Sequence, residues 1–261
     1  MLNLGCGERF HPDWVNLDMN AANPEVLIAD LRRGIPFPSA QFAVVYHSHV
    51  LEHLPREMAG AMIDECYRVL APAGCLRVVV PDLESLVKEY LSILKMIDEG
   101  DERGHKRYEW ILLELFDQFV RKRPGGEMLD YLRRGENPEV DYIVGRIGMW
   151  AEPFLRGGTA STTRSAPIDF KIRLRYLLRR IRNGLSRWWG GRNFGTSGEV
   201  HQWMYDRYSL ARLVESSGFN EVQVVSHDQS RIPGWSRYQL DTDDDGRAAI
   251  PGSLYLEAIK P

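Results

Sequence analysis

The chain opens on Leu2-Asn3-Leu4 and runs directly into Gly5-Cys6-Gly7. A short apolar run ended by paired glycines constrains the fold more than any other feature of this sequence. It reads as a strand whose carboxyl end turns tightly enough for the backbone to approach a ligand. Four further runs of strand character follow, at 14–18, 26–29, 42–46 and 76–80. Their largely continuous apolar character suits parallel strands covered on both faces. Between the fourth and fifth, Met58, Met62, Ile63, Cys66, Val69 and Leu70 share one helical face. This predicts a helix over 55–70, opened by Pro55 and ended by Ala71-Pro72-Ala73-Gly74. Strand and helix in alternation predict an α/β fold around a mostly parallel sheet. Residues 8–14 are too few for the crossover of about a dozen residues that a parallel pair normally uses. The first connection is therefore expected to be a loop with at most one helical turn.

The rhythm breaks after residue 82. Leu86, Val87, Tyr90, Leu91, Leu94 and Ile97 mark one amphipathic helix, and 110–116 lies in another. Leu174, Leu177, Leu178, Ile181, Leu185 and Trp188 form a later stripe, opposed by Lys171, Arg173, Arg175, Arg179, Arg180, Arg182 and Arg187. Residues 83–200 read as a helical insertion. The α/β pattern then resumes, with a helix over 208–217 and strands at 221–226 and 253–259; the last is expected to be antiparallel. The expected division is 1–82 and 201–261 as two parts of one α/β domain, with 83–200 as a cap for the substrate.

Composition excludes several function classes. In 261 residues the net charge is −3, which argues against a globally basic nucleic-acid binder. No apolar run approaches the roughly 18 residues of a membrane span, and no basic and apolar leader is visible, so a cytoplasmic protein is expected. Cys6, Cys66 and Cys75 form no C-x-x-C pair, which fits a reducing compartment. The basic helix at 171–189 reads as the wet face of a cap. It could also meet an anionic membrane surface or a phosphorylated, lipid-linked substrate. Asp241-Thr242-Asp243-Asp244-Asp245-Gly246 begins like a calcium loop but has Gly252 where the twelfth position wants Glu, so a solvated acidic loop is expected.

Carboxylates follow the glycines at successive strand ends. Asp18 closes the second run, where it can accept from ribose hydroxyls, and Asp30 closes the third, where it can accept from an adenine amino group. A nicotinamide-binding loop would want a third glycine where Phe10 stands, and no Tyr-x-x-x-Lys pair is present. A nicotinamide-dependent oxidoreductase or epimerase is therefore the weaker reading of such a sheet. A catalytically silent cofactor-binding partner is a second alternative.

Leu4-Gly5-Cys6-Gly7, His49-Val50-Leu51-Glu52-His53 and Val69-Leu70-Ala71-Pro72-Ala73-Gly74 resemble the class I S-adenosylmethionine-dependent methyltransferases, and most of all their type 11 methyltransferase domains. The resemblance covers residues 1–82 and about 201–261, and it implies a Rossmann-like methyltransferase sheet with S-adenosyl-L-methionine as cofactor. By that resemblance the Asn3-Leu4-Gly5-Cys6-Gly7 motif binds the cofactor, with Gly5, Cys6 and Gly7 under its methionine part. Asp18 would take the ribose, Met19 would pack on the adenine, and Asp30 with Leu31 would hold the adenine edge. His47 and Ser48 would lie under the sulfonium.

The expected reaction is O-methylation of a small molecule, sugar or glycan, which needs positioning and a base. Imidazole suits that task near neutral pH. His53 or His201 is the expected base, with Glu52 orienting a ring. His49, Glu52 and His53, at i, i+3 and i+4 of a helix, share one face. With His201 they also offer an alternative set of metal ligands, although no metal is expected. Asp82 is either substrate-facing or the N-cap of the next helix.

Overall fold

The computed structural model describes residues 1–20, 23–134, 139–148 and 199–261. One sheet holds β1 (Leu2–Leu4), β2 (Val15–Asp18), β3 (Val26–Ile28), β4 (Phe42–Ser48), β5 (Leu70–Pro81), β6 (Asn220–Val225) and β7 (Ser253–Ile259), in the order β3-β2-β1-β4-β5-β7-β6. The pairs β1–β2, β1–β4, β2–β3 and β4–β5 are parallel. β7 runs antiparallel to both β5 and β6, so the expected Rossmann-like sheet with an antiparallel last strand is present. Strand order reverses between β1 and β4, and ligands bind at the carboxyl ends flanking such a switch point.

Among the described residues the α-helices are α1 (Arg56–Val69), α2 (Leu83–Asp98), α3 (Glu102–Val120), α4 (Gly126–Arg133), α5 (Val140–Ile147) and α6 (Arg207–Ser216). α1 buries Met62, Ile63, Cys66 and Val69, the stripe expected from the sequence. It packs with α6 on one face of the sheet, against Leu2, Leu4, Val45, Val78 and Leu256. The chain then enters β5 directly at Leu70, rather than breaking over 71–74. An irregularity in the β4–β5 ladder and a left-handed Ala73 absorb the Pro-Ala-Gly sequence within the strand.

Among the described residues the opposite face carries an aromatic layer, in which the single 3-10 turn Trp235–Tyr238 stands where α-helices would. Trp14, Tyr46, Trp235, Tyr238 and Tyr255 are all buried there. Trp14 meets Tyr238 edge-on, with centroids 5.2 Å apart, and Tyr46 lies 5.4 Å from Trp235. Residues 5–14 connect β1 to β2 through turns alone, as the short spacing requires, so no helix from this connection shields the face. The 226–252 segment covers it in that helix's place.

Arg77 fixes this cover. The 76–80 run reads as apolar in sequence, yet its fully buried guanidinium donates to Asp241 (2.8 Å), Glu257 (2.7 Å) and the Gln229 carbonyl (2.9 Å). It also lies 4.5 Å from the Trp235 ring centroid. The Tyr46 hydroxyl donates to the other Asp241 oxygen (2.5 Å), and the Arg231 amide to the other Glu257 oxygen (2.9 Å). Asp241 is therefore not part of a solvated acidic loop: it is buried, and its burial raises its pKa against the pull of Arg77. Only the rest of that loop, from Asp243 to Gly246, reaches solvent.

Two further expectations are corrected by position in the sheet and the helices. Leu27 and Ile28 are exposed, because β3 is an edge strand and lacks cover on one side. On α2 the buried residues are Leu86 and Ile93, while Val87 and Leu91 of the expected stripe are exposed. Asp82 caps α2 by accepting from the Glu84 amide (3.0 Å). α3 and α5 are joined by Arg146 and the buried Glu114 (2.7 Å). The basic helix expected at 171–189 and its apolar stripe lie outside the described residues. Among the described residues no helix is long and apolar enough to cross a membrane.

Removing one partner of a buried ion network leaves uncompensated charge and costs about 3–5 kcal/mol. Arg77→Met should lower the free energy of urea unfolding by that amount, while Glu84→Gln, at a solvent-screened surface pair, should cost far less. A loss at Arg77 no larger than at Glu84 would contradict the role given to it.

Candidate active site

The glycine loop is held open by geometry that only glycine satisfies. Gly5 has φ +63°, and a Cβ placed there would stand 2.3 Å from Val50 Cγ2. The loop after β1 thus lies directly against the segment after β4. Gly7 has φ +53° with no atom within 4 Å of a Cβ position, so its outer side is free. Asn3 is buried beneath the loop, where its amide donates to the Arg9 carbonyl (3.0 Å) and Asn16 Oδ1 (3.2 Å). The structure gives Asn3 the part of a brace under the loop. Cys6 is buried too, and burial pushes its thiol up to about 12, so it is a neutral packing group at physiological pH.

The strand-end acids differ from each other. Asp18 is half-buried at the end of β2 and accepts from the Gly7 amide (2.9 Å) and the Asn20 amide (2.8 Å). It therefore closes the glycine loop onto the neighbouring strand, with its carboxylate at the loop's rim. Met19 beside it is exposed. Asp30 accepts from the Arg32 side chain (2.8 and 2.9 Å) and caps the short turn Leu31–Arg33. The Arg32 hydrogen bonds hold its pKa below the ordinary carboxylate value. Leu31 packs against the core. Gly5, Gly7, Asp18 and the exposed Met19 stand together at the carboxyl ends of the adjacent β1 and β2. At Asp30 a ligand would share the carboxylate with Arg32.

The segment after β4 builds the second half of the site. His47 ends the strand fully buried, with neither ring nitrogen hydrogen-bonded among the described residues. Burial lowers its pKa to about 4, so the ring is neutral. Ser48 follows, half-buried. His49, Glu52 and His53 do not lie on an α-helix: His49 has φ +54°, and Leu51–His53 is one 3-10 turn. They converge nonetheless, because the left-handed His49 turns its ring back over Glu52. His49 Nδ1 is 3.1 Å and His53 Nε2 is 3.9 Å from Glu52 Oε1.

Glu52 is completely buried, and neither carboxylate oxygen meets an aligned donor among the described residues. Burial alone would raise its pKa, but the adjacent His49 and the charges of the neighbouring rings outweigh this and hold it down at about 2. The Glu52 carbonyl accepts from the Gln202 amide (2.6 Å), which draws the 199–205 segment across the site. His201 arrives with that segment, its ring edge-on to His53 at 4.7 Å between centroids. Burial pushes His201 down to about 3. His53 and His201, 148 positions apart in sequence, thus stand ring against ring, with His201 buried and His53 partly exposed.

Two members of the site were not legible in the sequence. Val50 reads as a filler between His49 and Leu51, and only the Gly5 contact reveals its part. Tyr205 is buried with its hydroxyl unpartnered among the described residues, and burial, with Glu52 nearby, raises its pKa to about 12. The 201–206 segment was marked in the sequence by its resemblance to the family, but not Tyr205 by any chemistry of its own.

The Gly5–Val50 contact can be measured. A left-handed alanine costs about 1–2 kcal/mol, and overpacking adds about 1–3 kcal/mol. Gly5→Ala should lose both terms, and Val50→Ala should recover the packing part. A double-mutant cycle should then show a favourable coupling of at least about 1 kcal/mol. Simple additivity of the two changes would contradict the contact.

Residues 2–78 match the family model described as "Methyltransferase domain". No curated protein matches the chain. Among solved structures, it is similar to a SAM-dependent methyltransferase from Archaeoglobus fulgidus, at 11% identity over 99% of this chain and 85% of that one, with a TM-score of 0.40. It is also similar to a methyltransferase from Mesorhizobium loti, at 16% identity over 99% and 89%, with a TM-score of 0.39. A third is a possible histamine N-methyltransferase from Thermotoga maritima, at 11% identity over 100% and 81%, with a TM-score of 0.41. The matched segment contains the glycine loop, Asp18, Asp30 and the Glu52 turn in one stretch. Over residues 2–78, which is under half of its length, this chain is similar to a methyltransferase domain.

Proposed function

We propose that the chain methylates an oxygen atom of a small-molecule or glycan acceptor, and that residues 83–200 form the cap under which the acceptor binds. The observation that carries this reading is the Glu52–His53–His201 cluster beside the end of β4. Bound S-adenosylmethionine supplies an electrophilic methyl group, which passes by in-line displacement from sulfur to the acceptor oxygen. The protein's own part is to position the acceptor, exclude water and accept its proton.

His53 is suited to the last task. Its Nδ1 donates to the Val200 carbonyl (3.3 Å), which leaves Nε2 with a free lone pair. The ring is only partly buried, so an acceptor can reach it. His201 and Glu52 orient it from the buried side. Gly5, Gly7, Asp18 and Met19 form the cofactor cradle, with His47 and Ser48 at its reactive end; Cys6 and Asn3 support the loop, and Asp30 with Leu31 would bound the adenine. The basic stretch at 171–189 supports extending the acceptor class to lipid-linked compounds, on charge alone.

The test is transfer of tritium from methyl-labelled S-adenosylmethionine to a cell extract separated into polar, glycan and lipid-extractable fractions. Label should enter one fraction in a form resistant to mild base, as an ether is. His53→Ala and His201→Ala should each reduce transfer by about 100-fold or more, the scale of a lost base, with cofactor affinity nearly unchanged. Full transfer in both variants would overturn the base assignment. Label on nitrogen, sulfur or carbon would overturn the acceptor class.

A further inference from the structure

The buried Glu52 oxygens meet no aligned hydrogen-bond donor among the described residues. The Ser253 hydroxyl donates to the Ile250 carbonyl (2.8 Å), and a serine has one hydroxyl proton. Ser253 Oγ must therefore accept from His49 Nε2, 3.0 Å away. A neutral His49 then turns a bare Nδ1 toward Glu52 Oε1, at 3.1 Å. His53 repeats the pattern. A carbonyl can only accept, so the Val200 contact (3.3 Å) places the proton on Nδ1 and a bare Nε2 faces the same Glu52 oxygen. One nitrogen of His201 joins them: a Glu52 oxygen, a His53 nitrogen and a His201 nitrogen all lie within 4.8 Å of one another.

A fully buried carboxylate ringed by lone pairs is strongly unfavourable unless a positive group stands among them. Protonating His49 would place one donor 3.1 Å from Glu52 Oε1 and leave the other oxygen bare; protonating His53 adds none in reach, because 3.9 Å exceeds a hydrogen bond. A bridging water brings two protons to three converging residues. A cation satisfies them all at once.

We propose that Glu52, His53 and His201 bind a divalent first-row transition-metal ion, with His49 steering the carboxylate; an ion held there takes the His53 Nε2 lone pair, so that His53 then serves as a ligand and not as the free base. Two imidazoles and one carboxylate suit zinc, manganese, iron or cobalt rather than magnesium or calcium. Ligand atoms about 2.1 Å from a tetrahedral ion stand about 3.4 Å apart, so the partly exposed His53 ring turns inward to close the site. The backbone carbonyl behind His53 and the serine behind His49 are the outer supports that metal-bound carboxylate–imidazole sets use. The open side is the one His53 and His49 leave to solvent, where an oxygen ligand can enter. That last use rests on the methyl-transfer reading; ion binding itself does not.

The experiment is titration of Co²⁺ into the chelator-treated full chain, followed by visible absorption and displacement with Zn²⁺. One equivalent should bind, with the ligand-field bands of a low-coordinate site and a rise in melting temperature. Glu52→Gln and His53→Gln should weaken binding by at least about 100-fold, beyond the 10- to 100-fold typical of lost outer supports, and His49→Gln by less. Asp243→Asn, in the acidic loop, should change nothing. Stabilisation by S-adenosylhomocysteine in each variant shows that it is folded, and it separates failure of this site from failure of the methyltransferase reading. His53→Gln, on the partly exposed side, serves if Glu52→Gln does not fold. Absence of stoichiometric binding, or equal binding in wild type and His53→Gln, would overturn the proposal and leave the cluster to water.

Discussion

Arg77 stands fully buried in β5 with Asp241 and Glu257 on its nitrogens and Trp235 against its plane. The short β1–β2 connection leaves one face of the sheet without an α-helix among the described residues, and the irregular 226–252 segment covers it instead. An irregular segment has many backbone groups to satisfy and no ladder of its own. Arg77 accepts that load: it binds the carbonyls of Ser226, His227 and Gln229 as well as the two acids. Through Asp241 the network reaches Tyr46 in β4, and through Glu257 it reaches β7. The antiparallel end of the sheet, the aromatic layer and the central strands are thus tied at one cation. A buried network of this kind is weak support for net stability, but breaking it is costly. That asymmetry fixes one arrangement of the cover.

The opposite end of the strands uses the same economy of contacts. Gly5 lets the β1 loop touch Val50, and Val50 sits between His49 and the turn that carries Glu52 and His53. Asp18 draws in the Gly7 amide from the adjacent strand. The cradle and the polar cluster therefore share a wall, and a change in one is felt in the other. The 199–205 segment completes the cluster after the long excursion through α2–α5, pinned by the Glu52 carbonyl and by Gln118 of α3. A ligand spanning cradle and cluster would bind residues from both ends of the chain.

Much of this was legible in the sequence because parallel strands and glycine turns leave local signatures. β1 and β7 fall where their apolar runs stand, and α1 buries the face that its spacing marks. The convergence of His53 with His201 followed from the return of the α/β pattern near residue 201. Other features depend on partners distant in sequence, which a local pattern cannot register. Arg77 hides in an apolar run because its acids come 164 and 180 residues later. Asp241 looks like the start of an acidic loop because three exposed or half-exposed acids follow it. Val87 and Leu91 fit a helical stripe equally well whether they face the core or solvent. The left-handed His49 breaks the helix that the i, i+3, i+4 spacing suggested, and it brings the rings together by a different backbone route.

On the proposed function, the Gly5–Gly7 loop and Asp18 would hold S-adenosylmethionine at the strand ends. Calorimetric titration with S-adenosylhomocysteine tests this most directly. Wild-type protein should bind one equivalent, Asp18→Ala should bind at least about tenfold more weakly, which is about 1.4 kcal/mol, and NAD should not bind. Equal affinity in the Asp18→Ala variant, or binding of NAD in place of S-adenosylhomocysteine, would contradict it.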